Sequence, residues 1–230
     1  MKFRLTRLPY YIGIIVGVIL ESRCKNRMVL VYGWISGFNR FVFLKRRKLG
    51  IYFGKMTDLL EIKEVTIDDE YNTDAYRSEL SIIVDVGAGL GDFSIMMAKK
   101  YPKSKIFAFD PDKPRFELLK KNIKYNKSNN IFAIPSQVDS FKDIFSHTHR
   151  KIDLIKFDCE GCEFPIILSA NKDQLKKVCR IVMEYHQSEV FKVEELTSKL
   201  GKAGFIVEVS PNKEIDRLGH LTARKRNYSF

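Results

Sequence analysis

Residues 81–92 read SIIVDVGAGLGD. The run Ile82–Val86 is apolar and β-branched, broken only by Asp85, and three glycines follow at alternate places, Gly87, Gly89 and Gly91. A short apolar run of this kind reads as a buried strand. The glycines allow a tight turn and let a ligand approach both the backbone and the N-terminus of the next helix. That helix, DFSIMMAKK, begins at Asp92 and is stopped by Pro102. The unit is therefore strand, glycine turn, helix.

Working outward, the alternation repeats. SKIFAFD is a strand ending in Asp110, and KPRFELLKKNIKYN an amphipathic helix with a first-turn proline, Pro114. NIFAIPS, KIDLIKFD and VCRIVMEYH are further strands, ending near Ser136, Asp158 and His186. VDSFKDIFSH, CEFPIILSA and SEVFKVEELTSKLGKAG read as helices between and after them, and AGFIVEVS with GHLTARKRN closes the chain as a hairpin-like pair. Such alternation predicts a doubly wound, Rossmann-like α/β sheet of seven strands with a parallel core and an antiparallel last strand. Ligands of such sheets bind beyond the carboxyl ends of the strands, so the strand-end residues carry the functional reading.

Upstream the pattern changes. Residues 8–20, LPYYIGIIVGVIL, hold no charge. As a helix they reach about 20 Å, short of the roughly 30 Å hydrocarbon core. Lys2, Arg4 and Arg7 precede the run, Arg23, Lys25 and Arg27 follow it, and no small-residue cleavage site comes after it. Two readings stay open: a helix packed on the body or on a partner, and a peripheral membrane contact through residues 1–30. Residues 38–54 read as two short strands around the basic turn 45–48, and a short helix is expected near Asp58–Lys63. The expected division is a basic extension over 1–60 and a catalytic domain over 61–230.

The net charge of the 230 residues is +12. Residues 1–60 hold 12 Lys/Arg against Glu21 and Asp58, a net of +10, which leaves +2 for the remainder. A protein that tracks nucleic acid along its main domain should spread basic charge over it. The near-neutral body counts against that class. With 45% hydrophobic and 30% charged residues, a disordered or polytopic membrane chain is also excluded. Four cysteines, Cys24, Cys159, Cys162 and Cys179, are too few for a disulfide framework. No second cluster completes a zinc site with Cys159 and Cys162, so no metal is expected. A reduced, cytoplasmic setting follows, with the apolar run at the cytoplasmic face of a membrane as the variant reading.

The chemistry sits at the strand ends. The spacing Gly87-Ala88-Gly89-Leu90-Gly91 is not that of the dinucleotide fingerprint. Asp85 just before it repels a pyrophosphate and suits a positively charged ligand, such as the sulfonium and ammonium of S-adenosylmethionine. Asp110 ends the next strand, and a carboxylate there can accept both hydroxyls of an adenosine ribose. Asp85, Gly87, Ala88, Gly89, Gly91, Asp110 and Pro111 are the expected cofactor residues.

With these motifs the sequence resembles the class I S-adenosylmethionine-dependent methyltransferases, and among them the FkbM family, mostly O-methyltransferases. The resemblance runs from about Asp68 to Arg226 and rests on VDVGAGLGDFSIMMA, IFAFDPDKPRFELLKKNIKYN, IDLIKFDCEGCEFPII and IVMEYH. Its most specific element is Lys156-x-Asp158-x-Glu160-Gly161-x-Glu163. Cys159 and Cys162 stand where a small aliphatic residue is more usual, and Asp110-Pro111 where Glu-Pro often occurs. The resemblance implies methyl transfer to a hydroxyl.

The carboxylates Asp158, Glu160 and Glu163 repel one another unless a cation offsets them. Lys156 and Glu160 are expected on the substrate side, while Glu163 also suits a helix start. Glu184 and His186 share one face of their strand. His186 is a natural general base near neutral pH, and Asp158, Glu184 and His186 form the expected catalytic group. The acceptor reads as a small molecule, sugar or glycolipid. The alternative is a tRNA or rRNA methyltransferase, since residues 106–131 also resemble archaeal-type tRNA guanine methyltransferases. Against it, the fourth strand ends FDCEG rather than in an Asn/Asp-Pro-Pro-aromatic loop.

Overall fold

A computed structural model describes residues 8–22, 33, 35–37, 40–76, 79–212 and 215–226. An N-terminal helix α1 (Leu8–Glu21) precedes a hairpin of β1 (Phe41–Leu44) and β2 (Leu49–Tyr52). Then come α2 (Asp58–Lys63), continued by one wide π turn over Glu64–Asp68, and a 3-10 turn at Thr73–Ala75. The alternating body follows: β3 (Ile82–Val86), α3 (Asp92–Lys100), β4 (Lys105–Phe109), α4 (Lys113–Asn126), β5 (Ile131–Ile134), α5 (Phe141–Thr148) and β6 (Ile152–Phe157). It ends with α6 (Glu163–Ser169), α7 (Lys172–Lys176), β7 (Val178–His186), α8 (Val193–Lys202), β8 (Phe205–Pro211) and β9 (Leu218–Lys225).

The main sheet has seven strands in the order β5-β4-β3-β6-β7-β9-β8. β3 pairs in parallel with β4 and β6, and β9 is antiparallel to β7 and β8. This is the expected doubly wound sheet with its last strand reversed. The order switches at β3, between β4 and β6, where ligands of such sheets bind. Side-chain alternation divides the core between the two faces. Ile83, Ile106, Leu154 and Val182 face one side, with Leu119 of α4. Val84, Phe107, Ile155 and Ile181 face the other, with Ile144 of α5 and Leu196 of α8.

The N-terminal elements lie on the first of these faces: Val18, Leu49, Ile51 and Leu59 share its core. Two asparagines one turn apart on α4 complete the exposed edge of β2. Asn122 Oδ1 accepts from the Tyr52 amide (2.7 Å), and its Nδ2 donates to the Tyr52 carbonyl (3.0 Å). Asn126 treats Gly50 the same way, accepting from its amide and donating to its carbonyl. Buried backbone groups without such partners would destabilise the hairpin. Asn122 also donates to the Leu90 carbonyl (2.9 Å), tying the glycine turn to the hairpin.

Among the described residues, no helix is long and apolar enough to cross a membrane. The basic flanks at residues 2–7 and 23–27 lie outside the described residues. Although a disulfide framework was not expected, Cys159 and Cys162 are joined in a disulfide, their Cα atoms 5.4 Å apart. Glu160 (φ +56°) and Gly161 (φ +109°), between the two cysteines, turn the chain sharply between β6 and α6, and that turn brings the two sulfurs together.

Candidate active site

The glycine turn is shaped by its neighbours. The Gly87 and Ala88 amides donate to the Phe109 carbonyl (3.0 and 2.9 Å), which pins the turn to the end of β4. Gly87 has φ +77°, and a Cβ there would stand 1.8 Å from the Asp158 carbonyl oxygen. Gly91 has φ +81°, and a Cβ there would strike Leu119 of α4 at 2.3 Å. These two glycines are required by packing as much as by any ligand. Asp110 Oδ2 accepts from the Gly89 amide (2.7 Å) and Oδ1 from the Asp112 amide (2.9 Å). Burial raises the Asp110 pKa and these amides partly offset it.

A cleft of about 470 Å³ opens over the carboxyl ends of β3, β4 and β6. Of the expected residues, Gly87, Ala88, Gly89, Asp110, Pro111, Lys156, Asp158, Glu160 and Glu184 line it; Asp85, Gly91 and His186 do not. One end is formed by Phe109, Ser136, Gln137 and Val138, an apolar slot with polar edges beside Asp110. The other end gathers Asp158, Glu160 and Glu184 with Glu64 and Glu70, contributed by the π turn and the loop after it.

Asp85 has a different place from the one expected. It is fully buried beneath the turn. Its Oδ1 lies 3.1 Å from Lys156 Nζ, and its Oδ2 accepts from Ser94 Oγ at 2.7 Å. Lys156 Nζ also donates to the Gly87 carbonyl (3.1 Å) and stands 3.4 Å from Asp158 Oδ2. Burial works against its charge, but Asp85 and Asp158 outweigh it and raise its pKa. Lys156 is thus the internal counterion that gathers β3, the turn and β6. Tyr71 completes the support, its buried hydroxyl donating to Asp158 Oδ2 at 3.2 Å.

His186 lies among three carboxylates. Its Nε2 is 3.5 Å from both Glu160 and Glu184, and its Nδ1 is 3.3 Å from Glu163. Burial lowers its pKa, yet Glu163, Glu184 and Glu160 together raise it to about 9. A ring raised to about 9 favours the imidazolium at neutral pH, which argues against the neutral general base expected of it. Glu163 starts α6, as the sequence allowed, but it does more there. It is fully buried, and it accepts from the His186 amide (2.7 Å) and from the Gly161 amide (3.0 Å). Glu184 has the opposite surroundings. Burial first, then Asp158, raise its carboxyl to about 7, with His186 pulling the other way. Asp158, Glu184 and His186 bring their ligand atoms within 4.8 Å of one another.

The sequence reading missed four further features of the cleft. Glu64 is raised to about 7 by burial and then by Glu184, and Glu70 to about 9 by burial and then by Glu64. Asp92 is raised to about 7, chiefly by burial. Arg115, one turn into α4, reaches back over Gly89 to Glu61 and Asp58 of α2. Arg115 and Asp92 lie inside quoted motifs and were legible by position. Glu64 and Glu70 sit in a connector with no motif, and no sequence signal marks them.

Two family models match. The TRM5/TYW2 methyltransferase domain matches residues 70–164, and the methyltransferase FkbM domain matches residues 124–207. The two overlap over residues 124–164, which hold β5, α5, β6 and the loop after it, and together they take in the glycine turn, Asp110 and the Lys156–Glu163 segment. Both models describe methyltransferase domains, and each matches less than half of the chain. Its sequence is 34% identical over 71 residues to Methyltransferase 1 of Beauveria bassiana, 31% of this chain and 28% of that protein. The chain thus spans little more than a quarter of that relative. Among solved structures, an rRNA methylase from Streptococcus thermophilus superposes with a TM-score of 0.54 at 15% identity, covering 70% of this chain and 95% of that one. TrmK from M. capricolum, in complex with S-adenosylhomocysteine, superposes with 0.51 at 17% identity, covering 65% and 64%. The residues of the cleft have the chemistry to hold S-adenosylmethionine. The apolar slot could take an adenine, the Asp110 carboxylate could accept the ribose hydroxyls, and the Gly87–Gly89 backbone, free of side chains on two of its three residues, leaves room for the sulfonium-bearing chain.

Proposed function

We propose that this chain is an S-adenosylmethionine-dependent methyltransferase that methylates a hydroxyl of a small molecule, sugar or glycolipid, with Glu184 as the general base. The observation that carries this reading is the contact between Glu184 in the cleft and His186, 3.5 Å apart, with Glu184 raised to about 7 and His186 to about 9. A base whose pKa lies near the working pH balances ionisation against proton affinity. S-adenosylmethionine, when bound, supplies a methyl group on a positively charged sulfur. Asp110 and the glycine turn hold the cofactor end of the cleft. Glu184 takes the proton of the acceptor hydroxyl as its oxygen attacks. His186 keeps Glu184 in place and limits its rise, and Asp158, held by Lys156 and Tyr71, orients the hydroxyl. Methyl transfer is an in-line displacement, so such orientation supplies much of the rate.

RNA methylation is the second reading, supported by the match to the TRM5/TYW2 domain. The acceptor end counts against it, because the groups that would face a phosphate-rich partner there, Glu64, Glu70, Asp158 and Glu184, are all carboxyl groups. The test is methyl-labelled cofactor incubated with the enzyme and a cell extract divided into RNA, lipid and small-molecule fractions. Label in the small-molecule or lipid fraction, stable to alkaline treatment that removes esters, supports hydroxyl methylation. Label that a ribonuclease releases overturns it.

A further inference from the structure

Helix α1 has two faces of different fate. Ile14 and Val18 are buried, in the same core as Leu59 and Ile62 of α2. Lys63 runs over Gly17, where a Cβ would come within 3.1 Å of its Cε. The opposite face carries Ile12, Val16 and Leu20, one turn apart, at 51%, 46% and 56% exposure. Residues four apart on a helix lie above one another, so these three form one apolar stripe open to the surroundings. A helix apolar on both sides, with only one side buried in its own protein, calls for a second cover.

The stripe ends at a cationic cluster. The Lys45 amide donates to the Glu21 carbonyl (2.9 Å), and Ser22 bridges to Leu44, so the turn between β1 and β2 abuts the C-terminal end of α1. That turn reads Lys45-Arg46-Arg47-Lys48, and Lys45, Arg46 and Lys48 are exposed. Arg47 is engaged by Asp74 and Asp69. Lys99, also exposed, donates to the Lys48 carbonyl and adds its charge to the cluster. In the sequence, six further basic residues flank α1: Lys2, Arg4, Arg7, Arg23, Lys25 and Arg27.

We propose that this face docks on an anionic bilayer, with Ile12, Val16 and Leu20 entering the headgroup boundary and the basic turn resting on the lipid phosphates. A helix lying in the interface needs an apolar stripe and flanking cations, and it need not span. Basic residues near an anionic leaflet each add to the attraction, which decays within a Debye length. A second copy of the chain is the poorer occupant. Three half-exposed aliphatic side chains fall far short of the roughly 800 Å² per partner that a stable dimer needs, and two copies would set like charges against each other. The docked face adjoins the site, because α2, which α1 packs on, supplies Glu61 to the cleft.

The test is flotation of the full chain with vesicles of phosphatidylcholine alone or with an equal part of phosphatidylglycerol, at low and high salt. The I12S/V16S/L20S variant leaves Ile14 and Val18 untouched, and K45Q/R46Q/K48Q removes the turn's charge. The chain should float with the anionic vesicles at low salt, and each variant should weaken partition at least tenfold. Phosphatidylcholine alone or 0.5 M salt should weaken the wild type to a similar degree. Hydrogen exchange of the wild type gives a readout that needs no variant, since vesicles should protect the amides of 8–22 and leave those of β8 unchanged. Failure to float, flotation unaffected by the apolar substitutions, or a dimer in sedimentation that I12S/V16S/L20S dissociates would each overturn the proposal.

Discussion

Lys156 Nζ stands 3.1 Å from Asp85 Oδ1, both groups buried beneath the glycine turn. The carboxylate that the motif offers to a cationic ligand is spent on a cation of the protein itself. Removing one member of a buried pair leaves an uncompensated charge and costs about 3–5 kcal/mol. Lys156→Met should therefore lower stability in urea by about that amount, and Asp85→Asn by somewhat less, because its amide still bonds Ser94. If Asp85→Asn keeps full stability and loses only cofactor affinity, the carboxylate faces the ligand after all.

Asp110 holds the glycine turn through the Gly89 amide, and in the proposed function it also accepts the ribose hydroxyls. Asp110→Ala should weaken S-adenosylhomocysteine binding by about 1.5–3 kcal/mol, the range for a hydrogen bond to a charged group. Asp110→Asn retains an acceptor and should lose less. Calorimetry on both variants measures this, and equal affinity in wild type and Asp110→Ala would remove Asp110 from the cofactor site.

The rate should rise with pH through about 7. Glu184 must be ionised to accept a proton, and its carboxyl is raised to about 7. Because Glu184 and His186 interact, the apparent value belongs to the pair. Glu184→Gln should remove the rise and cut kcat about 10²–10⁴-fold, the usual contribution of a general base, with cofactor affinity kept. Glu163→Gln should weaken the hold on the imidazolium and move the apparent pKa of the rate profile. An unchanged profile in Glu184→Gln would assign the base elsewhere.

Stability should fall between about pH 6.5 and 9. His186 is raised from its ordinary value to about 9 in the folded state, so the fold binds its proton more tightly than the unfolded chain does. That contribution is whole below about 6.5 and disappears as pH passes 9. Glu70, also raised to about 9, acts in the same direction, since its ionisation in the buried cleft opposes folding. Thermal melting should drop several degrees across this range, at about 2–4 °C per kcal/mol for a domain of this size. His186→Gln should flatten the slope. A melting temperature that climbs toward pH 9 would contradict the cluster.

The fold was legible because each strand end in the body carries its own punctuation. Gly87 follows β3, Asp110 closes β4, and Asp158 and Gly161 close β6, so the alternation of strands and helices and the strand-end residues that line the cleft follow from local pattern. The acceptor end was legible only in part. Asp158 and Glu184 were found by their strand-end positions. The state of His186 was not, because it depends on Glu163 and Glu160, which approach from a different strand end. Asp85 was misplaced because a sequence shows that an acid stands by a turn, not that Lys156, 71 residues later, reaches it first. Glu64 and Glu70 were invisible because the π turn that presents them has no local signature.

The charge of the acceptor end makes a prediction about what is methylated. Glu64, Glu70 and Glu184 are each raised, and burial is the first cause for all three. Each is raised further by Asp158 or by another of the three, so negative charge on one meets repulsion from its neighbours across the cleft, and Glu70 keeps its proton at neutral pH. A phosphate brought among them would add to that repulsion, whereas a neutral polyol would not, and an amine-bearing one would relieve it. Matched acceptors that differ only in charge should therefore separate: turnover on a hydroxyl compound should fall when a phosphate is placed beside the hydroxyl and hold or rise when an amine is. Glu64→Gln with Glu70→Gln should narrow that difference without altering S-adenosylhomocysteine affinity. Rates measured on such a set with methyl-labelled cofactor decide it. Preference for the phosphorylated member, or efficient labelling of a purified RNA transcript, would mean that the acidic end turns away from the acceptor, and would move the methyltransferase to the RNA-directed reading.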